Sequence, residues 1–124
     1  MPNRNLQSIV SKRALVIGTR AMTVYEAAVA MREKGVGSVL VEDQGTLAGI
    51  FTERDLLNRV VAAGKDPELT RLADVMTTDV VGMEGDKPLS HALHLMHQNN
   101  FRHVPVLAAG KPIGMVSARD ALGI

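Results

Sequence analysis

Gly114-Met115-Val116-Ser117-Ala118-Arg119-Asp120 closes the chain, and Gly49-Ile50-Phe51-Thr52-Glu53-Arg54-Asp55 precedes it by 65 residues. Each stretch reads as a glycine, an apolar strand end, a hydroxyl residue, and an aspartate three places on, where a helix starts. Shifting the whole chain by the same 65 residues brings further identities into register. Val16 falls on Val81, Ala27 on Ala92, Met31 on Met96, Val39 on Val104, Val41 on Val106 and Gly45 on Gly110. Gly49, Arg54, Asp55 and Leu57 fall on Gly114, Arg119, Asp120 and Leu122. The chain is an internal duplication of two units, too few and too long for a solenoid.

Within each unit the apolar spacing predicts strand, helix, strand, strand, helix. In the first, Leu15-Val16-Ile17 reads as a strand. Thr23-Val24-Tyr25-Glu26 has capping-box spacing and opens a helix, which Gly35 and Gly37 stop. Ser38–Val41 and Leu47–Phe51 read as strands joined by a turn at Asp43-Gln44-Gly45. A helix follows from Glu53 to Ala63. Pro67 predicts another over Glu68–Met76. The second unit repeats the order with Val80–Met83, helix Leu89–Asn99, strand His103–Leu107, turn 108–110, strand Ile113–Val116 and a short helix from Ala118. Two such α/β (α+β) units, each with one apolar sheet face, are expected to pack together through those faces. The boundaries read as 9–64 for the first unit, 65–74 for a linker with a short helix, and 75–124 for the second.

Composition narrows the function. The 124 residues are 46% hydrophobic and 22% charged, enough for a core. Aromatics are 2% (Tyr25, Phe51 and Phe101), so the core is aliphatic and platforms for stacking bases are missing. Net charge is +1 with both signs interspersed, which argues against nucleic acid and an acidic membrane as partners. The absence of cysteine removes disulfides and thiolate chemistry. The first residues lack the apolar run of a signal peptide and no stretch approaches a membrane span, so a soluble cytoplasmic protein is expected.

The repeated corner has two physical readings. A hydroxyl followed three residues later by a carboxylate can cap a helix. It can also form a nucleotide pocket. Free N–H groups at the helix start suit a phosphate, Thr or Ser adds a donor, Asp accepts ribose hydroxyls, and Arg54 or Arg119 supplies charge. Gly49 and Gly114 allow backbone or ligand to come close. Capping alone does not require the whole set twice.

As a set, residues 49–55 and 114–120, Asp74-Val75-Met76-Thr77, and Arg102-His103-Val104-Pro105-Val106 resemble a tandem pair of cystathionine-beta-synthase (CBS) domains, the Bateman module. The resemblance covers roughly 9–123. It implies two pseudo-symmetric β-α-β-β-α units joined through their sheets, with clefts that bind adenosine-containing ligands: AMP, ADP, ATP, S-adenosylmethionine or NAD. It implies a regulatory sensor, with no cofactor beyond the ligand and no catalytic residues. It also implies a homodimer formed through the helices after each signature, and a regulated partner protein. The alternative is a structural dimerisation module with unoccupied clefts; an enzyme acting on a nucleotide is the third class. Carried over residue by residue, one pocket would use Ile50, Thr52, Arg54 and Asp55 with Val81, Arg102 and His103. The other would use Met115, Ser117, Arg119 and Asp120 with Val16, Val36, Gly37 and Ser38. On that grouping the Asp55 pocket, with Arg102 and His103, tolerates more phosphate charge.

Other patterns carry less. His91, His94 and His97 lie three apart on one helix, but their counterparts Glu26, Val29 and Arg32 do not repeat them. Neighbours at that spacing can share a face and hold a metal, but 91 and 97 diverge around the helix. They read as ordinary histidines on a largely solvated face with no metal, His94 being the one expected to be partly covered. Gly35-Val36-Gly37 follows a helix, not a strand, and lacks a third glycine, so a dinucleotide loop is excluded. The methionines read as core filling.

Overall fold

The computed structural model describes residues 5–10, 15–99 and 103–118. In order these form α1 (Leu6–Val10), β1 (Ile17–Gly18), α2 (Val24–Lys34), β2 (Ser38–Asp43), β3 (Thr46–Thr52) and α3 (Glu53–Asp55) with a π-helical continuation over Leu56–Val61. Then come α4 (Leu72–Val75), β4 (Met83–Glu84), α5 (Leu89–Asn99), β5 (His103–Ala108) and β6 (Lys111–Ser117). They divide into two compact units, one within 14–80 and the other joining the N-terminal residues before 14 to 81 onward.

The first unit is a three-stranded sheet in the order β1-β2-β3, parallel then antiparallel. Thr23 Oγ1 accepts from the Glu26 amide at 3.1 Å, and Glu26 Oε1 accepts from the Thr23 amide at 3.0 Å, completing the capping box that starts α2. Gly35 ends that helix at φ 66°, a left-handed conformation that costs a residue with a Cβ about 1–2 kcal/mol. Gly37 is not part of the stop. β2 and β3 meet across Gln44-Gly45, at φ 53° and 82°, the two positive values that a two-residue hairpin loop requires. The apolar face of the sheet packs Val39, Val41 and Phe51 against Val24, Ala27 and Met31 of α2.

The second unit repeats this. β4-β5-β6 has the same pairing, including a register shift at Val106/Leu107 that matches the one at Val41/Glu42. Its loop is Ala109-Gly110, at φ 51° and 84°. Ala92, Met96, Val104, Val106 and Val116 are buried at the places of Ala27, Met31, Val39, Val41 and Phe51. Helix α5 spans the residues read from the sequence.

The boundaries depart from the sequence reading in one systematic way. Residues 65–74 are not a linker: Leu72, Val75 and Met76 belong to the core of the first unit. The core of the second is completed by Leu6 and Ile9 of α1; the reading from residue 9 onward left Leu6 out and gave Ile9 to the first unit. The two helices dock alike. Leu72 N–H donates to Met22 O and Ala73 N–H to Arg20 O; Leu6 N–H donates to Lys87 O and Gln7 N–H to Gly85 O. Each sequence repeat therefore gives its leading helix to the other unit's core.

Smaller corrections follow from local competition. The helix expected over Glu68–Met76 is only Leu72–Val75. Arg71 is extended at ψ 151° because it pairs with Thr23, and Asp66–Thr70 is a turn closed by the Thr70 amide on Asp66 O. Strand β1 is Ile17–Gly18, not 15–17, and β4 is Met83–Glu84, not 80–83. The helix after Asp55 leaves α geometry at Leu56, with Ala62 N–H reaching Leu57 O and Lys65 N–H reaching Val60 O. The short helix expected from Ala118 lies largely outside the described residues. No helix among those described is long and apolar enough to cross a membrane.

Candidate functional site

The end of β3 places Thr52 in extended backbone and the next residues in helix, so side chain and carboxylate fold back on each other. Asp55 Oδ2 accepts from the Thr52 amide at 2.9 Å and from Thr52 Oγ1 at 3.1 Å. Asp55 N–H donates to Thr52 Oγ1 at 3.2 Å. The capping reading is thus realised. Asp55 is 9% exposed, and its second oxygen, Oδ1, has Arg59 Nε at 3.6 Å. Arg54, read as a phosphate ligand, is exposed and forms no ion pair among the described residues.

Gly49 admits backbone. A Cβ there would lie 2.9 Å from Thr77 O and 2.8 Å from Met76 Sδ, because the chain beyond α4 crosses β3 at this point. Ile50 and Thr77 exchange backbone hydrogen bonds, both at 2.9 Å. The sequence reading allowed backbone or ligand at this glycine; backbone occupies it.

The hairpin register settles which other residues adjoin each corner. Ser38 lies directly opposite Thr52, and Gly37 O accepts from Glu53 N–H at 3.1 Å. His103 lies directly opposite Ser117, and Met115 opposite Pro105. Within their own units, Gly37 and Ser38 therefore adjoin the Asp55 corner, and His103 adjoins the Ser117 corner. The physical reason is that the start of one hairpin strand and the end of its partner are neighbours by antiparallel pairing. Val16 and Val36 serve the first core, Val16 buried and Val36 packed against it, while Val81 is 45% exposed and outside any strand. Arg102, Arg119 and Asp120 lie outside the described residues.

His91, His94 and His97 are all exposed, His94 included. No group of three metal-ligating side chains comes together among the described residues. Met31, Met76 and Met96 are buried in the two cores as read. Of the apolar residues after Asp55, Val60 is buried in its own unit and Leu56 is half-buried, so only Leu57 (60%) and Val61 (62%) stand exposed. An open recess of about 270 Å³ lies at the loop end of the β5–β6 hairpin, among Gln7, Glu84, Asp86 and Ala109, away from Ser117.

Two β-α-β-β units with matched strand-to-helix corners define a duplicated α+β module. The CBS domain family model matches twice, over residues 6–62 and 72–124. The chain belongs to the CBS domain family and carries the domain in tandem. Both matches take in the leading helix of their repeat. An uncharacterised protein of Methanopyrus kandleri is 37% identical over 93% of this chain and 60% of its own length. The mitochondrial CBS domain-containing protein CBSX3 of Arabidopsis thaliana is 35% identical over 81% and 51%. The chain thus spans about half to two thirds of the length of these relatives. Among solved structures, a candidate signal-transduction protein with CBS domains from Burkholderia ambifaria superposes with a TM-score of 0.85 at 34% identity, covering 95% of this chain and 90% of its own. The CBS domain pair of protein MJ0100, solved with 5′-methylthioadenosine and S-adenosyl-L-methionine, shares the fold at a TM-score of 0.82 and 24% identity, over 96% and 97%.

Proposed function

We propose that this chain is a regulatory module that binds an adenosine-containing ligand (AMP, ADP, ATP, S-adenosylmethionine or NAD) at its two strand-to-helix corners. The observation that carries the reading is Asp55. Asp55 is a buried residue at a helix start, its side chain 12% exposed, and the cap uses only Oδ2. Oδ1 remains to accept ribose hydroxyls, and the Arg54 amide is the first-turn donor that neither Gly37 O nor Thr52 Oγ1 takes up, so it suits a phosphate. In the 65-residue register Ser117 and Asp120 are the counterparts of Thr52 and Asp55 in the second repeat. The adenosine ligands of the MJ0100 pair are of this chemistry.

The corners are not equivalent. His103 adjoins Ser117, and Ser38 adjoins Thr52. The second corner therefore tolerates more phosphate charge, because an imidazole stands where the first has a hydroxyl. The ligand favours one arrangement of the protein over another and a regulated partner reads the shift. The module works in the cytoplasm as a homodimer that covers Leu57 and Val61.

Calorimetry with adenosine, AMP, ATP and S-adenosylmethionine tests this. Asp55→Ala and Asp120→Ala each weaken one site by about tenfold or more. The Asp55→Ala variant, left with the second corner, gains more from added phosphates than Asp120→Ala. Absence of binding heat and of any melting shift with all four ligands overturns the reading and leaves a structural dimerisation module.

A further inference from the structure

The Asp55 corner is tied to the stretch through which the chain leaves its unit. Arg59 Nε stands 3.6 Å from Asp55 Oδ1. Its Nη1 donates to Val75 O at 3.3 Å and Met76 O at 3.2 Å. Those carbonyls end α4, where helix geometry provides them no partner. The same stretch is held on its other side by the Ile50–Thr77 pair of hydrogen bonds. After residue 80 the chain enters the other unit. Since Oδ2 is committed to the cap, Oδ1 is the atom that Arg59 shares with anything bound at the corner.

We propose that Arg59 is a positioning residue that couples occupation of the Thr52–Asp55 corner to the Val75–Thr77 segment; this rests on the corner being a ligand site. The Arg59 side chain is 51% exposed, so water screens its attraction to Asp55. A ligand lying over the corner displaces that water, and the attraction strengthens as the local dielectric falls. The planar guanidinium reaches carboxylate and carbonyls together, which a single ammonium does not. A ligand thus fastens the segment. In the 65-residue shift Arg59 falls on Ile124, so the coupling belongs to the first corner alone.

Amide exchange of Met76 and Thr77, bonded to Leu72 O and Ile50 O, reads the segment in the full chain. Without ligand, Asp55→Asn and Arg59→Met each speed exchange roughly fivefold, and the double variant exchanges no faster than the singles. Effects that multiply overturn the link. At saturating AMP, confirmed by calorimetry, exchange slows about threefold or more in the unaltered protein and is unchanged in Arg59→Met. Equal slowing in both overturns the proposal. Failure of adenosine ligands to bind overturns the ligand reading instead, while the ligand-free comparison still decides whether Arg59 links corner and segment.

Discussion

Replacing Leu6 by alanine removes the side chain that seats α1 in the second unit. Leu6 is 0% exposed and lies in one cluster with Ile9, Val104, Val106 and Val116. A buried Leu→Ala change costs about 2–5 kcal/mol, with the upper end reached where the surroundings cannot collapse. The wall facing Leu6 is a hydrogen-bonded hairpin, which relaxes little, while α1 is only five residues and can shift. A cost of about 3 kcal/mol follows, roughly 140-fold in the opening equilibrium. Native-state amide exchange locates the damage. The amides of Val104, Val106 and Val116 lose protection by about that factor, and those of Val39, Val41 and Phe51 lose far less. Leu72→Ala gives the mirror result, because Leu72 occupies the matching seat in the first unit. A loss under about 1 kcal/mol for Leu6→Ala, or a loss concentrated at 39, 41 and 51, refutes the exchange of leading helices between repeats.

Ala109 sits at φ 51° in the β5–β6 loop, so Ala109→Asn, which tolerates that region, is expected to stabilise the protein by about 1 kcal/mol in urea denaturation. Gly49→Ala is expected to cost about 1–3 kcal/mol, since the new Cβ would meet the Thr77 carbonyl at 2.9 Å; an unchanged melting temperature would show that the crossing segment is not where it stands. Glu26 is held below the usual glutamate pKa by the Thr23 amide first and the Thr23 hydroxyl second. A depressed folded-state pKa gives a contribution that is present above the unfolded value and lost as pH falls through the folded one. The N-terminus of α2 should therefore loosen only below the ordinary glutamate range, and Glu26→Gln should remove that limb of the acid unfolding curve. A Glu26 midpoint at or above the ordinary value in an NMR titration would contradict it. Leu57→Glu with Val61→Glu should convert a dimer to a monomer by light scattering, with both cores intact by circular dichroism; a monomeric unaltered chain at tens of micromolar would exclude the dimer.

What the residues declared and what they concealed separate along one physical line. Local geometry was legible. Thr23-x-x-Glu26, the left-handed Gly35 and the positive-φ loops at Gln44-Gly45 and Ala109-Gly110 are each fixed within a few residues, and each stands in the structure. So does the duplication, because identical cores need identical buried residues at one spacing. Partnership across distance was not legible. The 65-residue echo says that Leu72 and Leu6 are alike only when the shift is lengthened by one, and it cannot say whose core each helix enters. Apolar residues at 6, 9 and 10 behind Asn5, whose Oδ1 accepts from the Ser8 amide at 2.9 Å, were the available signal for α1. The same blindness hid which residues adjoin each corner within its own unit. Position 103 is 14 residues from Ser117 in sequence, yet the hairpin places it directly opposite, because the register shift at Val106/Leu107 moves the pairing one residue from what the loop at 109–110 alone would give. Arg59 is the harder case. Its four-residue spacing from Asp55 was visible, but its bonds to the carbonyls of Val75 and Met76 depend on where α4 docks, and no local pattern carries that.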